Sequence, residues 1–105
     1  LTRVNGKAEG LARMWYECGQ IYVKNFFKGG KKEGEYKEWY QNGNLCTQCY
    51  FVNSKYEGEY KEWYENGQMK LQCMTRNNLD NGEYKEWDQN GKLTLQCVMK
   101  NGRKV

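Results

Sequence analysis

The chain has no proline and no histidine in 105 residues. Without imidazole there is no side chain whose ordinary pKa lies near neutrality, and the commonest metal ligand is missing. Most hydrolase and metalloenzyme designs are thereby disfavoured. No apolar run approaches the length of a membrane-crossing helix, so no segment reads as one. Residues 1–10 lack the apolar stretch of a secretory signal, and Leu at position 1 points to an excised or processed piece of a longer chain. A mean hydropathy of −1.11 and 29% charged residues resemble a disordered composition, yet 15% aromatics and a net charge of only +4 oppose it. The length allows one domain.

What is present is periodic. Trp15, Trp39, Trp63 and Trp87 recur at one constant 24-residue interval. Registered on them, the chain divides into a tail of a preceding unit (residues 1–9), a degenerate first unit (10–33) and three further units (34–57, 58–81, 82–105). The last three open with Gly-Glu-Tyr-Lys-Glu-Trp and the first with Gly10-Leu11-Ala12-Arg13-Met14-Trp15. A fixed period of this length marks a repeat architecture in which each unit buries its faces only against its neighbours.

Within a unit, Asn42-Gly43, Asn66-Gly67 and Asn90-Gly91 stand between strand-prone runs. Asn-Gly predicts a two-residue type I′ hairpin turn, which needs φ > 0 at both positions. The first unit has Cys18-Gly19 there, a poorer turn. A second, looser turn is expected before each unit-opening glycine. Two strands per unit make an all-β, elongated, single-layer antiparallel sheet of about eight strands and roughly 40 Å.

The two-residue turn would set the register. Tyr36 then faces Cys49, Glu38 faces Thr47 and Tyr40 faces Leu45 on one side, while Trp39 faces Cys46, Lys37 faces Gln48 and Glu35 faces Tyr50 on the other. The pattern recurs as Tyr64–Met69, Tyr60–Cys73 and Tyr84–Cys97, and the first unit gives Tyr16–Ile21 and Met14–Val23. A three-residue turn would exchange the faces along the second strand.

The recurring Gly-Glu-Tyr-Lys-Glu-Trp-Tyr-x-Asn-Gly-x-Leu resembles the variant MORN (membrane occupation and recognition nexus) repeat. The Gln-Cys after each turn (Gln48-Cys49, Gln72-Cys73, Gln96-Cys97) is similar to arrays of large DNA viruses, and related repeats occur in bacterial antitoxins. The resemblance implies stacked hairpins and no catalytic residues. Departures here are Cys18 for Asn, Asn25 in the cysteine column and Asp88 for Tyr.

Five cysteines include Cys46-Thr47-Gln48-Cys49. On a strand, residues i and i+3 point to opposite faces, so this pair forms no chelate. Cys49, Cys73 and Cys97 lie two strands apart, ~9.6 Å, beyond disulfide reach. They read as a packed apolar column, and the odd number of thiols suits a reducing, intracellular setting; the resemblance implies the cytoplasm, that of a virus-infected host included, or a virion.

Trp15, Trp39, Trp63 and Trp87, with Tyr50 on the same face, are the candidate protein-binding residues, since aromatics anchor interfaces. Against this stands the reading in which each Trp packs over neighbouring strands. Aromatics beside lysine also suggest single-stranded nucleic acid. However, Lys37, Lys61 and Lys85 are offset by Glu35, Glu59 and Glu83, a zwitterionic strip and not a basic groove. Residues 1–33 hold seven basic against three acidic side chains, a loose cluster (Lys24, Lys28, Lys31, Lys32) that makes anionic lipid a weaker second partner. Glu38, Glu62 and Glu86 repeat identically, unlike an acid–base pair. The residues thus predict a non-enzymatic scaffold without cofactor or metal that binds a protein partner. Lipid-surface binding and toxin neutralisation are the alternatives, and self-association through open sheet edges is expected.

Overall fold

The strand-prone runs and the turn residues between them do form hairpins in the computed structural model, which describes residues 2–105. Leu1, where an excised piece was inferred to start, lies outside the described residues. In chain order the strands are β1 (Thr2–Val4), β2 (Lys7–Trp15), β3 (Ile21–Lys28), β4 (Lys31–Lys32), β5 (Gly34–Trp39), β6 (Leu45–Val52), β7 (Lys55–Tyr56), β8 (Gly58–Trp63), β9 (Met69–Arg76), β10 (Leu79–Trp87), β11 (Leu93–Lys100) and β12 (Arg103–Lys104). They make one antiparallel sheet in which β4 and β7 are short spurs on β3 and β6. Its eight long strands, two to a unit, are the eight expected. A slab of 45 × 35 × 12 Å follows, one layer thick.

The two turns of each unit exchange the roles the sequence suggested. The tight turn is the inter-hairpin one: Asn53 and Ser54 (φ 50° and 63°) and Asn77 and Asn78 (φ 51° and 75°) hold the left-handed conformation at both central positions. Val52 pairs with Lys55 and Arg76 with Leu79 across them. This is the type I′ geometry. At Asn42-Gly43, by contrast, only the glycine has positive φ (90°). Gly43 N–H donates to the Tyr40 carbonyl at 3.0 Å and Tyr40 N–H to the Asn44 carbonyl at 2.8 Å. That is a type I turn followed by a left-handed glycine, a three-residue loop. Asn66-Gly67 and Asn90-Gly91 repeat it, and so does Cys18-Gly19, where Gly19 N–H reaches the Tyr16 carbonyl at 3.0 Å. Since the residue before the glycine keeps negative φ, Cys18 is no misfit in the turn itself.

A three-residue loop should have exchanged the faces, but a second irregularity cancels it. Trp39 pairs with Leu45 and Glu38 with Thr47, leaving Cys46 as an extra residue. Tyr22, Lys70 and Thr94 are the extra residues of the other units. Beyond this bulge the expected register returns: Tyr36 with Cys49, Glu35 with Tyr50, Lys37 with Gln48, Tyr60 with Cys73, Tyr84 with Cys97 and Met14 with Val23. The expected pairs Tyr40–Leu45, Trp39–Cys46, Tyr64–Met69 and Tyr16–Ile21 are replaced by Trp39–Leu45, Trp63–Met69 and Trp15–Ile21. The loop moves the register by one and the bulge moves it back.

A single layer cannot enclose a core. Among the described residues, Cys49, Phe51 and Cys73 are the buried apolar side chains, and Asn25, in the cysteine column, is the buried polar one. Its Oδ1 accepts the Phe26 N–H at 3.0 Å. Cohesion comes instead from ladders between units. Tyr16, Tyr40 and Tyr64 hydroxyls donate to the carbonyls of Trp39, Trp63 and Trp87 at 2.7, 2.6 and 2.8 Å. Asn42 and Asn66 Nδ2 donate to the carbonyls of Glu65 and Gln89 in the next turn. At the other rim, Glu33 and Glu57 carboxylates accept the N–H of Asn53 and Asn77, and Asn81 Oδ1 accepts that of Asn101. Each such bond contributes about 1 kcal/mol.

Candidate functional site

Alternation along β5 and β8 puts Glu35, Lys37 and Trp39, and Glu59, Lys61 and Trp63, on one face. The charges pair within each strand: Lys37–Glu35 at 3.4 Å, Lys61–Glu59 at 2.9 Å and Lys85–Glu83 at 2.6 Å. Lys61, by hydrogen bond and charge, holds the Glu59 carboxyl below its ordinary range. Gln48 and Gln72 Nε2 bind the same glutamates from the neighbouring strand. The strip is internally neutralised and offers no unpaired lysine row to a phosphate backbone.

Of the candidate binding residues, Trp15 is 58% exposed, whereas Trp39, Trp63 and Trp87 are half-buried. Ring–ring contacts among the described residues join tyrosines and phenylalanine only: Tyr16–Tyr22, Tyr36–Phe51, Phe51–Tyr56 and Tyr56–Tyr60. The tryptophans thus lie in step along the face without stacking on another ring. Tyr50, paired with Glu35, is 37% exposed, and its ring lies against Gly58 of the next unit. It belongs to a column that the sequence reading passed over. Phe26, Tyr50, Met74 and Val98 recur with the period of the tryptophans and are 44%, 37%, 43% and 54% exposed. That shared period was the signal available; the variety of side chains hid it. The face therefore carries two apolar columns with the Lys–Glu pairs between them.

The turn residues Asn42, Gly43, Asn66, Gly67, Asn90 and Gly91 sit at one rim. Asn42 and Asn66 Oδ1 also accept the N–H two residues on, both at 2.9 Å. Where Tyr is replaced by Asp88, the carboxylate accepts the N–H of Asn90 and Lys92 in its own turn, and the tyrosine ladder stops there.

The opposite face carries tyrosine, glutamate and cysteine. Tyr36, Tyr60 and Tyr84 donate to Glu38, Glu62 and Glu86 two residues on, at 2.5, 2.5 and 2.6 Å. The glutamate row thus takes its tyrosine partners from its own strands. Burial, and then the hydrogen bond to the carboxylate, raise all three phenols above their ordinary 10.0. Burial likewise pushes the Cys49 and Cys73 thiols up to about 12, so both are protonated and poor nucleophiles at neutral pH. All five cysteines are free thiols. Lys32 Nζ lies 5.1 Å from the Phe51 ring centre and 5.6 Å from that of Tyr36.

A family model described as "MORN repeat variant" matches residues 32–53, 56–77 and 80–101. The three segments recur with the period of the tryptophans and cover more than half of the chain. No curated protein matches it.

Proposed function

Because the chain belongs to the MORN repeat variant family, we propose that it is a non-enzymatic scaffold that binds another protein across its tryptophan-bearing face. Repeats of this family are generally non-catalytic and occur in protein- and membrane-interaction modules. One observation carries the reading: the exposed column Phe26, Tyr50, Met74, Val98 runs in step with tryptophans that stack on no other ring. Apolar side chains left in register on a face suit an extended partner, with the paired charges as the polar frame.

Alanine at Trp39 and Trp63 together should abolish capture of the partner in a pull-down from the native cell, with the far-ultraviolet circular dichroism intact. Equal capture by wild type and double variant, measured by quantitative mass spectrometry, would contradict the assignment.

A lipid-surface role is favoured by a narrower observation, the exposed Lys28 and Lys31 beside the Gly29-Gly30 turn. Lys32 is engaged by rings, which leaves two exposed lysines in this cluster at ~1 kcal/mol each. Flotation with phosphatidylserine vesicles at low salt should therefore leave most of the protein in the dense fraction; quantitative flotation would make lipid the principal partner.

A further inference from the structure

Position 32 recurs one and two periods later as Tyr56 and Asp80, and the three side chains have different surroundings. In the first, the ammonium of Lys32 rests against Phe51 and Tyr36. In the second, Tyr56 replaces the lysine, its ring 4.8 Å from Phe51 and 5.6 Å from Tyr60. One period after the Phe51–Tyr56 pair, both side chains are smaller. Asp80 stands in the column of Lys32 and Tyr56, Thr75 in that of Phe51, and Tyr84 keeps the ring of Tyr36 and Tyr60. A recess of about 270 Å³ results, bounded among others by Tyr56, Tyr60, Cys73, Thr75, Asp80 and Tyr84.

Its electrostatics have one sign. Asp80 is half-buried and its Oδ1 accepts from the Cys73 thiol at 3.6 Å. The ion pairs among the described residues join only Lys37, Lys61 and Lys85 to their glutamates, so none involves Asp80. The Tyr60 and Tyr84 hydroxyls are held by Glu62 and Glu86, which fixes both rings and adds further negative potential. Tyrosine faces next to an uncompensated carboxylate attract an organic ammonium.

We propose that this recess is a binding seat for a lysine ammonium supplied by a partner protein. Lys32 shows the chemistry one period earlier: the chain's own ammonium rests against the rings of Tyr36 and Phe51. Tyr60 and Tyr84 alternate with Trp63 and Trp87 along β8 and β10, so the seat lies on the face opposite the tryptophans and stands independently of the reading given for that face.

The test is a ¹H–¹⁵N titration of the full chain with N-acetyl-lysine methylamide, with the norleucine analogue and choline as parallel ligands. The capped lysine should shift the amides of Asp80, Gly82 and Tyr84 saturably, and norleucine should not. Asp80→Asn should weaken binding by about tenfold, as loss of the charge partner requires. Asp80→Lys should abolish it, because it replaces the carboxylate with a charge that repels the ligand's ammonium, in a column that already holds a lysine at position 32. Absence of shifts with the lysine ligand, equal shifts with norleucine, or wild-type binding by either folded variant would overturn the proposal. Saturation by choline without response to lysine would also overturn it, in favour of a quaternary headgroup.

Discussion

Cys49 and Cys73 show what a thin sheet asks of a side chain: each is small enough to disappear between strands and is held neutral there. Their thiols are raised from an ordinary 9.0 to about 12, chiefly by burial, and the phenols of Tyr36, Tyr60 and Tyr84 are raised from 10.0 in the same sense. An acid whose folded pKa is raised stabilises the fold fully below its unfolded pKa and loses that contribution as pH rises towards the folded value. The unfolding midpoint in urea should therefore be level through neutrality and fall above about pH 9, first through the thiols and then the phenols. A midpoint unchanged to pH 10.5 would contradict this. The cysteine column was legible in the sequence because its spacing matches the tryptophans. Its neutral thiols follow from packing, which no spacing states.

At the level of the hairpin, the sequence names the turn residues correctly and misassigns the turn types. Asn-Gly satisfies a type I′ turn, but it also satisfies a type I turn closed by a left-handed glycine, and local propensity does not separate the two. With the longer loop in place, Asn42 and Asn66 reach across to the carbonyls of Glu65 and Gln89, and Tyr40 reaches Trp63. Cys18 occupies the same column and makes no such reach. Cys18→Asn should accordingly add one inter-unit hydrogen bond, to the Gln41 carbonyl, and raise stability by about 1 kcal/mol. Thermal unfolding of the variant checks this; an unchanged midpoint would mean that the asparagine column does not bind units together. The compensating bulge at Cys46 was equally hidden, since any residue can be the extra one: Tyr22, Cys46, Lys70 and Thr94 fill the column.

For the molecule as a whole, a layer 12 Å thick leaves cohesion to neighbours and leaves strand edges without partners. Inside the array the segment around Thr47–Gln48 pairs outward with Glu62–Lys61. Its counterpart on β11, Leu95–Gln96, pairs with β10 alone, and at the opposite edge Met14 and Trp15 are more than half exposed. Backbone donors and apolar side chains at both edges favour head-to-tail pairing of copies. Sedimentation equilibrium should show a mass that rises with concentration above that of the 12.5 kDa chain. A monomer mass throughout the range would show that these edges are blunted in solution.

The repeat period alone determined the architecture, because a unit that cannot bury its own faces must stack on its copies. It also determined the cysteine column and the positions of the tryptophans, whereas the strand pairs beyond the bulge came from a two-residue turn that the structure replaces. The tertiary structure decided the turn types, the cancelling bulge, the exposed column from Phe26 to Val98 and the recess at Asp80. The column and the recess depend on what lies one repeat away in the adjoining hairpin, and on whether that neighbour fills the space or leaves it open.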